Sequence, residues 1–247
     1  MPDDAPSADA VHLRDLLAAI DSHPGTRARK AWDALRLVHI AFVGNQAELV
    51  ELVEAIESNQ NDIGLAMASN MPQYAEKSHA LYAELFRRLH NYVSSAVTLI
   101  DHTRNLTKGY EGTDTHTEYA QRIAEIRAGG LGPFVAKLRV FVVHVGVPAI
   151  GTQVAIQNGV GETITSFIDR DSALKWPDWP ADARRYLESQ PPHVSLREVI
   201  TAYGAVVEEL YRWFYEQFTV LHGDDIDAVN VLIGQTPWGG RMPSLPE

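Results

Sequence analysis

Between Tyr74 and Leu106 the residues Tyr82, Leu85, Leu89, Val93, Ala96, Ile100 and Thr103 recur every three or four positions. That period matches the helical turn, so the stretch is expected to be one helix of about nine turns. A single helix of this length cannot cover its own apolar stripe. It needs other helices laid against it, and this requirement narrows the fold more than any other feature of the chain.

The rest of the sequence supplies those partners. Val11 to Ser22 places Leu13, Leu16, Leu17 and Ile20 on one face, and Pro24-Gly25 is expected to stop it. Thr26 is expected to cap the next helix, with Trp32, Leu35, Val38 and Phe42 as its stripe. A kink or break is expected at Gly44-Asn45, before Leu49, Leu52, Val53 and Ile56. Residues 59–72 read as a loop with one turn of helix. Asp114-Thr115 followed by Glu118 resembles a capping box for a helix carrying Tyr119, Ile123 and Ile126 and ending at Gly129-Gly130.

From Pro133 to Pro148 the valines favour a strand, whereas Pro133, Gly146 and Pro148 punctuate a helix, and helix is the reading adopted. Thr152, Val154 and Ile156, then Thr163, Thr165 and Phe167, alternate around Asn158-Gly159, which predicts a β-hairpin. The run from Trp176 to Pro180 reads as a rigid connector with two aromatic anchors, and a helix is expected from Ala181 to Ser189. Ser195 and Glu198 form another capping box, for a long helix through His222. Gly223 is expected to end it and Asp224 to cap a last short helix. The expected fold is mainly α, a helical bundle with one β-hairpin insertion near residues 150–170. It is parsed as a single helical domain over 1–247: bundle 10–148, hairpin 149–170, and C-terminal helices 181–235 completing the bundle.

Composition narrows the function classes. The absence of cysteine removes disulfides, thiolate metal sites and a cysteine nucleophile. A net charge of -11 argues against general DNA or RNA coating, which needs clustered Lys and Arg. Residues 61–170 nevertheless hold ten basic and ten acidic side chains, so the acidic excess lies in the flanks and a narrow phosphate site remains open in the centre. The N-terminal residues carry Asp3, Asp4 and Asp9 and no positive charge, unlike a secretory signal. The apolar stretch 134–156 is interrupted by Lys137, Arg139 and His144. A cytoplasmic protein without membrane partners is expected.

No phosphate-binding glycine loop, zinc-protease His pair or serine-hydrolase elbow is present. Beside the apolar stripe of the long helix runs a polar one: Asn91, Ser94, Ser95, Thr98, Asp101, His102 and Asn105. Either these groups satisfy one another at a close helix contact, or they line a polar pocket with Asn91, Asp101, His102 and Arg104 as binding residues. A metal site from His90, Asp101 and His102 would draw on adjoining rather than identical faces, and no metal or other cofactor is expected.

Arg139 stands five positions before His144 in an apolar, helical segment. The pair resembles the Arg-x4-His motif of the HEPN superfamily, the higher eukaryote and prokaryote nucleotide-binding domains. His90-Asn91-Tyr92 and Asp101-His102-Thr103-Arg104 extend the resemblance to the long helix, over roughly residues 75–150, in the manner of uncharacterised bacterial members. The resemblance implies a helical bundle and a metal-independent endoribonuclease of toxin or phage-defence type. It implies RNA as substrate, an antitoxin or other regulator as protein partner, and a homodimer whose two motifs meet at one cleft. On this carry-over His144 is the catalytic proton-transfer residue and Arg139 the catalytic phosphate clamp. Val140 follows Arg139 where the family usually has a polar residue. The alternative is a non-catalytic helical module that binds a protein, a nucleotide or another small ligand.

Overall fold

The computed structural model describes residues 8–69, 71–146, 149–157 and 161–239. The chain is mainly α-helical, with a small antiparallel sheet inserted after the sixth helix. Helix α1 covers Ala8–Ser22 and α2 covers Pro24–Glu57. Pro24 opens α2 instead of separating it from α1 by a loop, since a proline at a first helical position loses no hydrogen bond. Thr26 is not its cap: the hydroxyl donates back to the Ile20 carbonyl. Nor does Gly44-Asn45 break α2. An interior glycine costs about 1 kcal/mol, less than the burial of Phe42, Leu49 and Val53 on either side recovers.

α2 ends where Asn59 turns into the left-handed region, at φ 54°, and its amide oxygen accepts the Leu65 N–H at 3.0 Å. The expected loop after it therefore holds more helix than foreseen, α3 at Ile63–Ala68 between two short 3-10 turns. The long helix α4 runs over Ala75–Thr107, as its period predicts, and buries Leu85, Leu89, Val93 and Ala96. α5 covers Asp114–Ala128, but its cap is Thr113, whose hydroxyl accepts the His116 N–H at 3.2 Å, while Thr115 is buried. The ambiguous valine-rich segment is helix α6, Leu131–His144.

Strands β1 (Ile150–Gln157) and β2 (Gly161–Asp169) form the expected hairpin, with Thr152 opposite Ser166; its Asn158-Gly159 turn and Pro148 lie outside the described residues. A third strand, β3 at His193–Ser195, pairs with the end of β2. Three residues are too few to display a period, so the sequence carries no sign of it. α7 (Arg170–Leu174) and α8 (Ala181–Ser189) lead to α9, Leu196–Gly234. Ser195 caps α9 as expected, accepting the Glu198 N–H at 3.2 Å. Gly223 does not interrupt it.

The chain divides into two compact units, one of residues up to 36 with those from 212 onward, the other of residues 37–211. In the first, Trp32 packs on Tyr215 and Phe218, with ring centroids 4.5 and 4.9 Å apart. In the second, Phe42, Tyr92 and Tyr203 meet in the core, and α6 lies against α4 and α8. Ile164, Ser166 and Ile168 turn the inner face of the hairpin into that core. Among the described residues no helix is long and apolar enough to cross a membrane.

Candidate active site

α6 carries the two residues singled out by the HEPN resemblance. Gly130 sets its start: the residue sits at φ +77°, and a Cβ there would lie 2.7 Å from the Asp182 carbonyl oxygen. The helix buries Phe134, Val135, Leu138 and Val142 as a continuous ridge. It closes where Val145 and Gly146 both donate to the Phe141 carbonyl, at 2.9 and 3.1 Å. The Trp176–Pro180 connector anchors it from outside. Trp179 is buried with its indole N–H on the Ala173 carbonyl at 2.8 Å, and Phe134 packs 5.4 Å from its ring.

Arg139 is half-buried and His144 exposed. Neither forms an ion pair or hydrogen bond among the described residues. Asp101 on α4 pairs with Arg104 of its own helix at 2.9 Å. The two motif residues do not converge. Five residues along an α-helix turn a side chain by about 140°, so Arg139 and His144 leave α6 on opposite flanks of its buried ridge.

The polar stripe of α4 turns inward on its own backbone. Ser95 donates to the Tyr92 carbonyl at 2.8 Å and Thr98 to that of Ser94 at 2.9 Å. Thr103 donates to the Leu99 carbonyl at 2.8 Å and meets the Tyr211 hydroxyl, where buried polar groups need partners. Asn91 is half-buried, while His102 and Arg104 are exposed. The structure pairs Asp101 with Arg104, and among the described residues neither Asn91 nor His102 is hydrogen-bonded to them. Among the described residues no three His, Asp or Glu side chains gather as metal ligands, so His90, Asp101 and His102 form no such set.

Two clefts open on the 37–211 unit. One, of about 380 Å³, lies between α5, the start of α6 and α9, with Ile126, Leu131, Val206 and Leu210 on its walls and Glu125 and Glu209 beside them. The other, of about 350 Å³, is lined by Ser69, Met71, Ser78, His79 and Tyr82 at the start of α4. None of Asn91, Asp101, His102, Arg104, Arg139 and His144 lines either.

Two residues of interest escaped the sequence reading. Lys137 sits two turns before His144, about 20° from it around the helix. Its ammonium lies 5.1 Å from the centre of the Trp176 ring. The spacing of Lys137 and His144 was legible; the arrival of Trp176 beside Lys137 was not, because it depends on how the connector folds back. No protein-family model, no curated protein and no solved structure matches this chain.

Proposed function

We propose that the chain is a HEPN-like, metal-independent endoribonuclease of toxin or phage-defence type, acting in the cytoplasm as a homodimer under an antitoxin or other regulator. The observation that carries this reading is Arg139, a half-buried guanidinium without a carboxylate partner among the described residues, in a chain of net charge -11. An arginine so placed is available to a phosphate. His144, exposed at the end of the same helix, is available for proton transfer.

On this reading the two residues of one site come from different protomers, Arg139 of one copy facing His144 of the other across a two-fold axis, which suits their separation around α6. Val143 and Val145, 39% and 51% exposed beside His144, supply apolar surface for that contact. In the reaction the ribose 2′-hydroxyl loses its proton and attacks phosphorus. The bond to the 5′-oxygen breaks, that oxygen takes up a proton, and a 2′,3′-cyclic phosphate and a 5′-hydroxyl result. His144 moves the proton, and Arg139 holds the charge on the non-bridging oxygens. Val140 contributes nothing polar to this arrangement.

The test is RNA cleavage with EDTA present, comparing the native chain with His144→Ala and Arg139→Ala. Cleavage by the native chain alone, with cyclic-phosphate ends, supports the reading. Equal cleavage in all three, or none in any, overturns it. The second reading, a non-catalytic interaction module, is favoured by Leu37 and Ile40 on α2, 63% and 56% exposed and one turn apart.

A further inference from the structure

We propose that Lys137, Trp176 and Arg184 form a nucleotide-recognition patch on the His144 flank of α6, holding one nucleotide of single-stranded RNA beside that histidine. The inference rests on the ribonuclease reading and adds how the substrate is gripped. Lys137, Phe141 and His144 follow one another at helical spacing down a single flank of α6, so a ligand lying along that flank reaches all three. Trp176 is seated on the same flank. Its ring centroid lies 5.1 Å from that of Phe141 and 4.9 Å from that of Trp179, both edge to face, which fixes its orientation while leaving it half-buried. Arg184 is bound to the same residue, donating to the Trp176 carbonyl at 3.1 Å.

Charge sets this patch apart in an acidic protein. Two arginines of α7 and α8 are paired instead, Arg170 with Asp171 at 2.9 Å and Arg185 with Asp182 at 3.1 Å. Lys137 and Arg184 have no carboxylate partner among the described residues, although Glu188 stands one turn beyond Arg184 on α8. One cation over the indole and a second on the same residue's carbonyl match the two halves of a nucleotide. The ring stacks on the base whatever its identity, and the cations hold the phosphate. The pairing also supplies a phosphate contact within the same copy as His144.

The experiment measures binding of a fluorescein-labelled ten-nucleotide single-stranded RNA in EDTA, by anisotropy, to the full chain carrying His144→Ala. In that background Lys137→Gln and Arg184→Gln are each expected to weaken binding by about fivefold, and Trp176→Leu by about tenfold. Trp176→Phe, which keeps an aromatic face, is expected to restore most of the loss. Thermal unfolding of each variant separates lost binding from lost fold. RNA binding that is absent, or unchanged by Lys137→Gln and Trp176→Leu in folded protein, overturns the patch, as does equal competition by a decamer of glutamate. Native cleavage with unchanged binding in these variants overturns the patch and leaves the ribonuclease standing. Binding lost in the variants, with no cleavage by the native chain, keeps the patch and overturns the ribonuclease.

Discussion

Glu57 accepts the backbone N–H of Ser166 at 3.2 Å, tying the end of α2 to the middle of β2. Its other carboxylate oxygen lies 3.0 Å from Arg197 Nε. Burial dominates and pushes this carboxyl above its ordinary value, with the Ser166 N–H and Arg197 offsetting part of the rise. A raised folded-state value means that the contribution of Glu57 to stability is present at low pH and lost as pH rises through that value. The native chain should therefore lose stability relative to Glu57→Gln as pH is raised from the carboxylate range toward neutrality. Urea unfolding of both chains across that range checks it; a constant difference contradicts it.

His39 titrates with the opposite sign. It stacks on Tyr211 with ring centroids 4.7 Å apart, and its Nε2 lies 3.8 Å from a Glu208 carboxylate oxygen. Burial lowers its value below 6.5, more than Glu208 raises it. The stability tied to neutral His39 is present above the ordinary histidine value and lost as pH falls through the lowered one. Thermal unfolding between pH 7 and about pH 5 should show the native chain losing more than His39→Gln.

Two glycines of α2 should respond in opposite directions to alanine. A Cβ on Gly25 would lie 2.0 Å from the Asp225 carbonyl oxygen, a backbone atom that cannot yield cheaply. Gly25→Ala is expected to destabilise by about 1–3 kcal/mol. Gly44 has nothing within 4 Å of its added Cβ and lies inside the helix, so Gly44→Ala should stabilise by about 0.5–1 kcal/mol. Chemical denaturation of the two variants measures both.

The start of α5 gives a fourth check. Thr113→Ala removes the side-chain acceptor for the His116 N–H and should cost about 1 kcal/mol. If Thr113→Ala is neutral in unfolding experiments, the helix does not begin as described.

These cases explain what was legible beforehand. The α4 stripe and the Ser195 cap rest on local spacing, and the structure follows them. Gly44 and Gly223 look like breaks in the sequence yet lie within α2 and α9, because a glycine's local cost is smaller than the burial its helix secures, a quantity set by distant partners. The shift from Thr115 to Thr113 is a two-residue ambiguity among adjacent cap formers. At the site, the opposite flanks of Arg139 and His144 follow from helical spacing once α6 is known to be a helix. The seating of Trp176 on Lys137 and Phe141 is non-local and needed the fold.

The shared site is most directly tested by mixing. Arg139→Ala and His144→Ala chains, each inactive alone, are combined, allowed to exchange subunits, and assayed for RNA cleavage in EDTA. A two-fold site that draws Arg139 from one copy and His144 from the other regains one intact centre per mixed dimer, about a quarter of native activity after random exchange. If exchange is complete and the mixture stays as inactive as its components, the two residues do not act together across a dimer, and the account is wrong.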